Sequence, residues 1–400
     1  MFPASFWLYL VSRFGSATAM MMLRAAVAWH VYALSRSAFL LGLIGLVQFV
    51  PALALTLVGG ALADSYDRRR IMMRAQVVPL VSAAALFLAT RSGAVTLPLL
   101  YGVILLVAVA GAFESPSRMA LLPTLVERDV FPRAVTLAAT NQALAFATGP
   151  AACGWVIAAA DVGTVYAVDA ALVATSLLAL AFLRSSGTPV ARRVPGLRAV
   201  REGLAFVRAH EVVLGCMTLD LLAVVFGGAG ALLPIYATEI LHVGPKGYGI
   251  LSSSFEAGAL LMSFLLTALP PITRAGRALL GTVAIYGLAT IVFGLSRWFP
   301  LSVLAYAAVG MADQVSVVLR STTIQLSTPD PLRGRVSGVN MLFISASNQV
   351  GAAESGFVAA LTDATFSVVT GGIACLVVVA IVATRLPALR NYRTDRVRLE

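Results

Sequence analysis

The 400-residue chain is 59% hydrophobic and 12% charged, with a formal net charge of +11 and a mean hydropathy of +0.90. Soluble domains carry about 25% charged residues, so this composition cannot build a water-facing surface, and the bilayer is the solvent that suits it. The basic excess is nearly all arginine in short breaks between apolar runs, which is the pattern of membrane orientation and argues against a nucleic-acid partner.

Apolar runs of about 20 residues are long enough to cross the hydrocarbon layer as helices, and they predict an all-α membrane protein of twelve transmembrane helices. In the first half the spans are 5–34, 38–63, 72–91, 96–117, 134–160 and 164–184. In the second they are 211–240, 247–269, 277–296, 300–326, 336–361 and 366–386. The first run lacks a cleavage-site pattern and is interrupted early by Arg13, so it reads as a retained span rather than a removed signal. Cys153, Cys216 and Cys375 lie inside apolar runs without paired spacing, which predicts packing residues and neither a disulfide nor a metal site.

Arginine sorts strongly between alternate loops. One set carries Arg68 to Arg70, Arg118, Arg320, Arg333, Arg335 and most of the others, while the opposite set carries only Arg36, Arg91, Lys246 and Arg297. The first set, with both termini, is therefore expected in the cytoplasm. The organisation that follows is a six-helix half at 1–184, a cytoplasmic linker at 185–210, a second six-helix half at 211–387 and a tail at 388–400. Within the linker, Leu197, Val200, Leu204 and Val207 line one face while Arg198, Arg201 and Arg208 line another. That predicts an interfacial amphipathic helix with its apolar side toward lipid.

The halves echo one another. "RMALLPTLVERDVFPRAVTLAATN" begins at Arg118 and "RSTTIQLSTPDPLRGRVSGVN" at Arg320, 202 residues later. A six-span repeat with both copies in one orientation points to a secondary transporter whose site lies between the repeats. Charge inside a span is costly and usually faces a cavity or does work. Arg24 lies about 16 Å along the first span from Arg13, near the midplane. Asp220, Glu256 and Asp313 fall midway along the seventh, eighth and tenth spans, and Glu354 falls deep in the eleventh. These five are the candidates for substrate binding and proton coupling, with Arg24 balanced by Glu256 or Asp220. Glu114 and Asp169 read as structural.

The stretch "GGALADSYDRRR", residues 59–70, resembles the loop motif of the major facilitator superfamily, G-x-L-x-D-R-x-G-R-R/K, between its second and third spans. Gly60, Leu62, Asp64, Arg68 and Arg69 fall on the motif; Ser65 replaces its arginine and Asp67 its second glycine. The aspartate variant, with "LDLLAVVFGGAGALLPIYATEIL" and "GMADQVSVVLRSTTIQLSTPD" in the second half, is similar to the branch of bacterial efflux proteins that includes the enterobactin exporter. The resemblance covers nearly the whole chain. It implies a cytoplasmic gate in which Asp64 meets the start of the eleventh span, where the helix dipole favours an anion and Arg333 and Arg335 are within reach. "TGPAACGW" partly resembles the fifth-span antiporter motif G-P-x-x-G-G, with Gly149, Pro150 and Gly154 on the pattern and Cys153 in place of a glycine. The fourth span lacks the intramembrane arginine of many proton-coupled relatives, a place Arg24 could fill.

No nucleotide-binding loop, Cys/His cluster or catalytic order is present, so neither cofactor nor enzyme activity is expected. The reading is a monomeric secondary transporter of a bacterial inner membrane. It exports a small amphipathic molecule (a drug, siderophore or metabolite) in exchange for protons by alternating access. The alternatives are uptake of a small solute, or a non-transporting membrane sensor or integral-membrane enzyme.

Overall fold

The computed structural model describes residues 2–65, 67–183, 197–270 and 272–394, with the side chains of 52–53, 56–65 and 197–200 outside the description. The described residues form helices without strands. The long ones are α1 (Ala4–Ser35), α2 (Ala38–Ser65), α3 (Arg68–Arg91), α4 (Leu97–Leu121), α5 (Phe131–Ala159), α6 (Val162–Phe182) and α7 (Leu197–Ala209). They continue with α8 (Glu211–Phe226), α9 (Gly244–Ala268), α10 (Ala275–Leu295), α11 (Phe299–Leu326), α12 (Arg333–Leu361) and α13 (Ala364–Arg385). Among the described residues, ten segments are long and apolar enough to cross a membrane. Of α2, the apolar stretch Ala38–Pro51 falls within the described side chains. α12 has the length but is diluted by Asn340, Ser345, Ser347, Asn348, Gln349 and Glu354.

Helices of this kind satisfy every backbone group internally, as the bilayer demands, and their ends show how the chain punctuates them. Asp67 stands at the N-cap of α3 and accepts from the backbone N–H of Arg69 at 2.9 Å and of Arg70 at 3.3 Å. The departure from the motif's glycine is therefore a helix start signal. Asp161 caps α6 through the Thr164 N–H at 2.7 Å, and Asp363 caps α13 through the Phe366 N–H at 2.8 Å. The two caps are 202 residues apart and each is joined by an arginine. Arg91 lies 3.1 Å from Asp161 and donates to Thr164, while Arg297 donates to Thr365 at 3.0 Å. The half-chain repeat thus extends to matching polar rims. The backbone N–H of Thr164, the local hydroxyl and Arg91 hold the Asp161 carboxyl below its usual range.

Two compact units result: one of Met1–Arg36, Val47–Val194 and His242–Ser253, the other of Ser37–Leu46, Pro195–Leu241 and Ser254–Glu400. The start of α2 thus packs in unit 2 and the start of α9 in unit 1. In unit 2, Phe39 of α2 stacks on Phe357 of α12 with ring centroids 4.9 Å apart. In unit 1, Tyr248 of α9 donates to the Ala25 carbonyl of α1 at 3.0 Å and its ring lies 5.2 Å from that of Trp29.

Two expectations change. The span at 211–240 is not one regular helix. α8 stops at Phe226, Gly227 and Gly228 break it, and the chain resumes through a 3-10 turn, Ala229–Leu232, and a π turn, Tyr236–Ile240. Paired glycines at mid-span are a known cause of such a break. The amphipathic helix α7 does not turn its described apolar face to lipid. Val207 is fully buried, a methyl group at Gly203 would stand 2.9 Å from the Arg335 carbonyl oxygen, and Glu202 pairs with Arg335 at 2.7 Å. The face of α7 covers the start of α12 instead, and Leu197 and Val200 lie outside the described side chains.

Candidate functional site

The motif arginines have local work in unit 1. Arg68 donates to the Ala120 carbonyl at 3.0 Å, in the last turn of α4. Arg69 donates through Nε to the Leu180 carbonyl at 2.7 Å and through Nη2 to that of Ala181, both in the last turn of α6. Helix C-termini leave carbonyls unpaired and carry partial negative charge, so each arginine closes a helix end. Arg69→Ala is expected to lower stability by about 0.5–1 kcal/mol, read as a lower melting temperature of the purified protein, with Arg69→Lys recovering part of it. Gly60 and Asp64 stand in α2, but their side chains lie outside the described residues, and so does the pairing expected of Asp64. Arg333 and Arg335 are engaged within unit 2, with Asp330 at 2.8 Å and with Glu202.

Above these caps a polar ladder crosses unit 1. Ser176 Oγ of α6 lies 2.8 Å from Ser12 Oγ of α1 and from Gln76 Oε1 of α3. Gln76 Nε2 donates to Glu114 of α4 at 2.8 Å. Glu114 pairs with Arg118 one turn on, and Arg118 donates to Ser16 of α1 at 2.8 Å. Arg13 donates to Tyr9 at 2.9 Å and to Gln142 of α5. This chain of partners fastens these helices together, with Arg13 Nε and Arg118 Nη1 left without a partner among the described residues, and it gives Glu114 its structural place. Asp169 is different: it is 1% exposed, and neither carboxylate oxygen has a hydrogen-bond partner among the described residues. Arg24 lies on the exposed side of α1 and makes no hydrogen bond or ion pair among the described residues.

The fifth-span motif is a packing device in unit 1. A methyl group at Gly149 would stand 2.7 Å from Met21 Cβ and 2.9 Å from the Thr18 carbonyl oxygen; one at Gly154 would stand 2.6 Å from Gly249 Cα. Gly149 thus seats α1 and Gly154 seats the start of α9, backbone against backbone. Pro150 lies within α5, which runs from Phe131 to Ala159 without a break in assignment. Beside the motif, Lys246 sits 4.7 Å from the centre of the Trp155 ring.

Unit 2 holds the four candidate acids. Asp220 of α8 forms an ion pair with Arg320 of α11, the side chains 9% and 2% exposed. Arg320, counted from sequence among the loop arginines, lies within α11 and is the largest fully buried side chain among the described residues, and it supplies the counter-charge sought for Asp220 in Arg24. The signal was present in the echo of Arg118 and Arg320. Arg118 reaches α1 at Ser16, Arg320 reaches α8 at Asp220, and these targets are themselves 204 residues apart.

Glu256 of α9 and Asp313 of α11 lie within electrostatic reach of one another. Their helices touch through the backbone, since methyl groups at Gly258 and Gly310 would overlap the carbonyl oxygens of Ala307 and Phe255. One turn further on, Gln314 Nε2 donates to Ser263 Oγ at 3.3 Å. Both acids are half-buried and neither makes an ion pair among the described residues. Glu354 of α12 is also half-buried and accepts from Ser355 Oγ at 3.4 Å. Tyr306, not singled out from sequence, lies within electrostatic reach of Glu256 and Asp313.

This architecture is that of solved transporters. A POT family transporter in complex with a thioalcohol-conjugated peptide matches 97% of each chain with a TM-score of 0.76 at 13% identity. A bacterial homologue of the human lysosomal transporter Spinster, inward-facing and unoccupied, matches 97% of each with a TM-score of 0.71 at 13% identity. At such identities the likeness shows the fold alone. Sequence relatives reach further: enterobactin exporter EntS from Shigella boydii serotype 4 (strain Sb227) is 26% identical over 386 residues, 96% of this chain and 92% of that protein. The protein of the same name from Escherichia coli O1:K1 / APEC has the same identity and coverage. These relatives and neighbours are transporters, not enzymes. Residues 3–397 match the family described as transmembrane secretion effector, MFS_3. The chain belongs to that family of the major facilitator superfamily and is a multi-pass transporter of the inner membrane.

Proposed function

We propose that the chain is a proton-coupled exporter of small amphipathic molecules. It works as a monomer by alternating access, with twelve membrane helices in two halves, 1–184 and 211–387, and both termini cytoplasmic. The linker 185–210 and the tail 388–400 complete this organisation. The observation that carries the reading is that Glu256, Asp313 and Glu354 sit within spans, half-buried and so reachable, with no ion pair among the described residues, whereas Asp220 is paired with Arg320 and Asp169 is closed off at 1% exposure. An acid held only for structure needs a fixed counter-charge in a membrane interior. One without it is free to exchange a proton for a substrate.

The five in-span candidates therefore divide. Glu256 and Asp313 carry coupling, Glu354 and Arg24 bind or steer, and Asp220 anchors α8. Asp64, with Gly60, Arg68, Arg69, Arg333 and Arg335, forms the cytoplasmic latch implied by the motif. Gly149, Pro150 and Gly154 keep α5 close to its neighbours. Export is favoured by the likeness to proteins named as exporters over nearly the full chain.

The test is substrate-induced proton flux in inside-out vesicles across a panel of amphipathic compounds. Wild type is expected to release protons on addition of a transported compound, and Glu256→Gln and Asp313→Asn are expected to lose that release. Full-rate, proton-coupled transport in both variants would remove these acids from the coupling role.

A further inference from the structure

The acids of α9 and α11 face rings as well as each other. On α11, Tyr306, Gly310 and Asp313 follow at i, i+4 and i+7 and so share one face. That face meets α9 at Gly258 and Phe255, the residue before Glu256. The Phe255 and Tyr306 ring centroids are 5.6 Å apart. Behind them, Phe293 of α10 lies 4.9 Å from Tyr306, and Tyr236 stacks on Phe293 at 4.6 Å. Tyr236 and Phe293 are fully buried, and the Tyr236 hydroxyl is spent on the Gly294 carbonyl at 3.1 Å. They form a rigid backing. Tyr306 is 7% exposed, yet its hydroxyl has no hydrogen-bond partner among the described residues, and it is the group that stands in reach of both carboxylates.

Two carboxylates, an unspent hydroxyl and two ring faces make a site of one electrostatic sign. Arg320, the basic side chain buried in the described part of unit 2, is committed to Asp220. No group of three or more His, Cys, Asp or Glu side chains that could hold a metal occurs among the described residues, and a divalent ion needs a larger oxygen set than this. A diffuse organic cation needs less: partial neutralisation by carboxylate and the negative face of aromatic rings.

We propose that Glu256, Asp313, Tyr306 and Phe255 form a binding site for an organic cation, an amine or quaternary onium group attached to an apolar body. The site names the substrate class of the coupling acids and rests on that reading. Cation and proton then compete for the same two carboxylates, which makes the exchange obligatory without any further part.

The probe is radiolabelled tetraphenylphosphonium, a permanent cation with no proton to lose, bound to the purified full-length protein in lipid nanodiscs. Wild type is expected to bind it saturably. Glu256→Gln and Asp313→Asn, which keep shape and lose charge, are expected to weaken binding by about tenfold or more. Tyr306→Phe, which keeps the ring, is expected to weaken it by about threefold. Melting temperatures of the three variants are measured alongside, and weakened binding in a variant that melts as wild type supports the site. No saturable binding in wild type, wild-type affinity in both carboxylate variants, or equal competition by an uncharged aromatic of the same size overturns it. The outcome is separable from the export reading. Proton-linked transport of uncharged amphipaths without tetraphenylphosphonium binding overturns the cation site and leaves export standing. Carboxylate-dependent binding with no proton-linked transport of any compound does the reverse.

Discussion

Arg320→Met is expected to destabilise the protein by about 3–5 kcal/mol, the largest effect of any single substitution considered. The Arg320 side chain is 2% exposed and its partner on Asp220 9%. Deleting the guanidinium leaves a carboxylate in the interior of unit 2 without counter-charge among the described residues. Deleting both charges removes both desolvation penalties, so the double variant Asp220→Leu/Arg320→Met should recover most of the loss. Chemical unfolding of wild type, Asp220→Leu, Arg320→Met and the double variant in nanodiscs, followed by tryptophan fluorescence, gives the cycle. A single variant as stable as the double would mean that the pair is not what holds Asp220.

Gly310→Ala is expected to be the second severe change. The added methyl group would overlap the backbone of Phe255, which cannot swing aside as a side chain would. α9 and α11 must then separate, at about 1–3 kcal/mol for overpacking. Glu256 and Asp313 each lie within one turn of this crossing, so transport should fall further than stability does. Gly281→Ala is the internal control: it is a glycine of α10 whose methyl group would meet nothing within 4 Å, and Ala there should be neutral or stabilising by about 0.5–1 kcal/mol. Comparable loss of transport in both variants would show that the effect is general and not a property of the crossing.

The helical architecture was legible because bilayer thickness sets a length that apolar runs must meet, and the ends follow rules of charge and capping. What was lost in sequence follows from the same logic. The span expected at 336–361 is present as helix α12, but its polar residues keep it out of the ten described segments that are apolar enough to cross a membrane. Arg320 looks like an end-of-span arginine, because hydropathy averages over a window and cannot tell a charge at a helix end from one turned inward against Asp220. The bend at Gly227 and Gly228 was hidden inside a continuous apolar run, since an unwound turn costs nothing in composition. α7 kept its amphipathic pattern but not its partner, because periodicity gives the existence of an apolar face and not what covers it. Glu256 and Asp313 were readable as candidates one by one. Their pairing depended on Gly258 and Gly310, two glycines whose only message is the closeness of another backbone.

The matched arginines Arg118 and Arg320 make the two units differ in stiffness. In unit 1 the counter-ion of Arg118 is on its own helix, α4, and α1 offers the neutral hydroxyls of Ser16, to the guanidinium, and Tyr9, to the carbonyl. In unit 2 the counter-ion is Asp220 on α8 itself. Sliding α1 past α4 breaks contacts to neutral hydroxyls, whereas sliding α8 past α11 pulls apart two buried charges. The lower part of α8 is thus welded to its neighbour where α1 is only hinged. In the alternating-access cycle proposed above, strain taken up by unit 2 falls on the unwound turn at Gly227 and Gly228, where α8 ends.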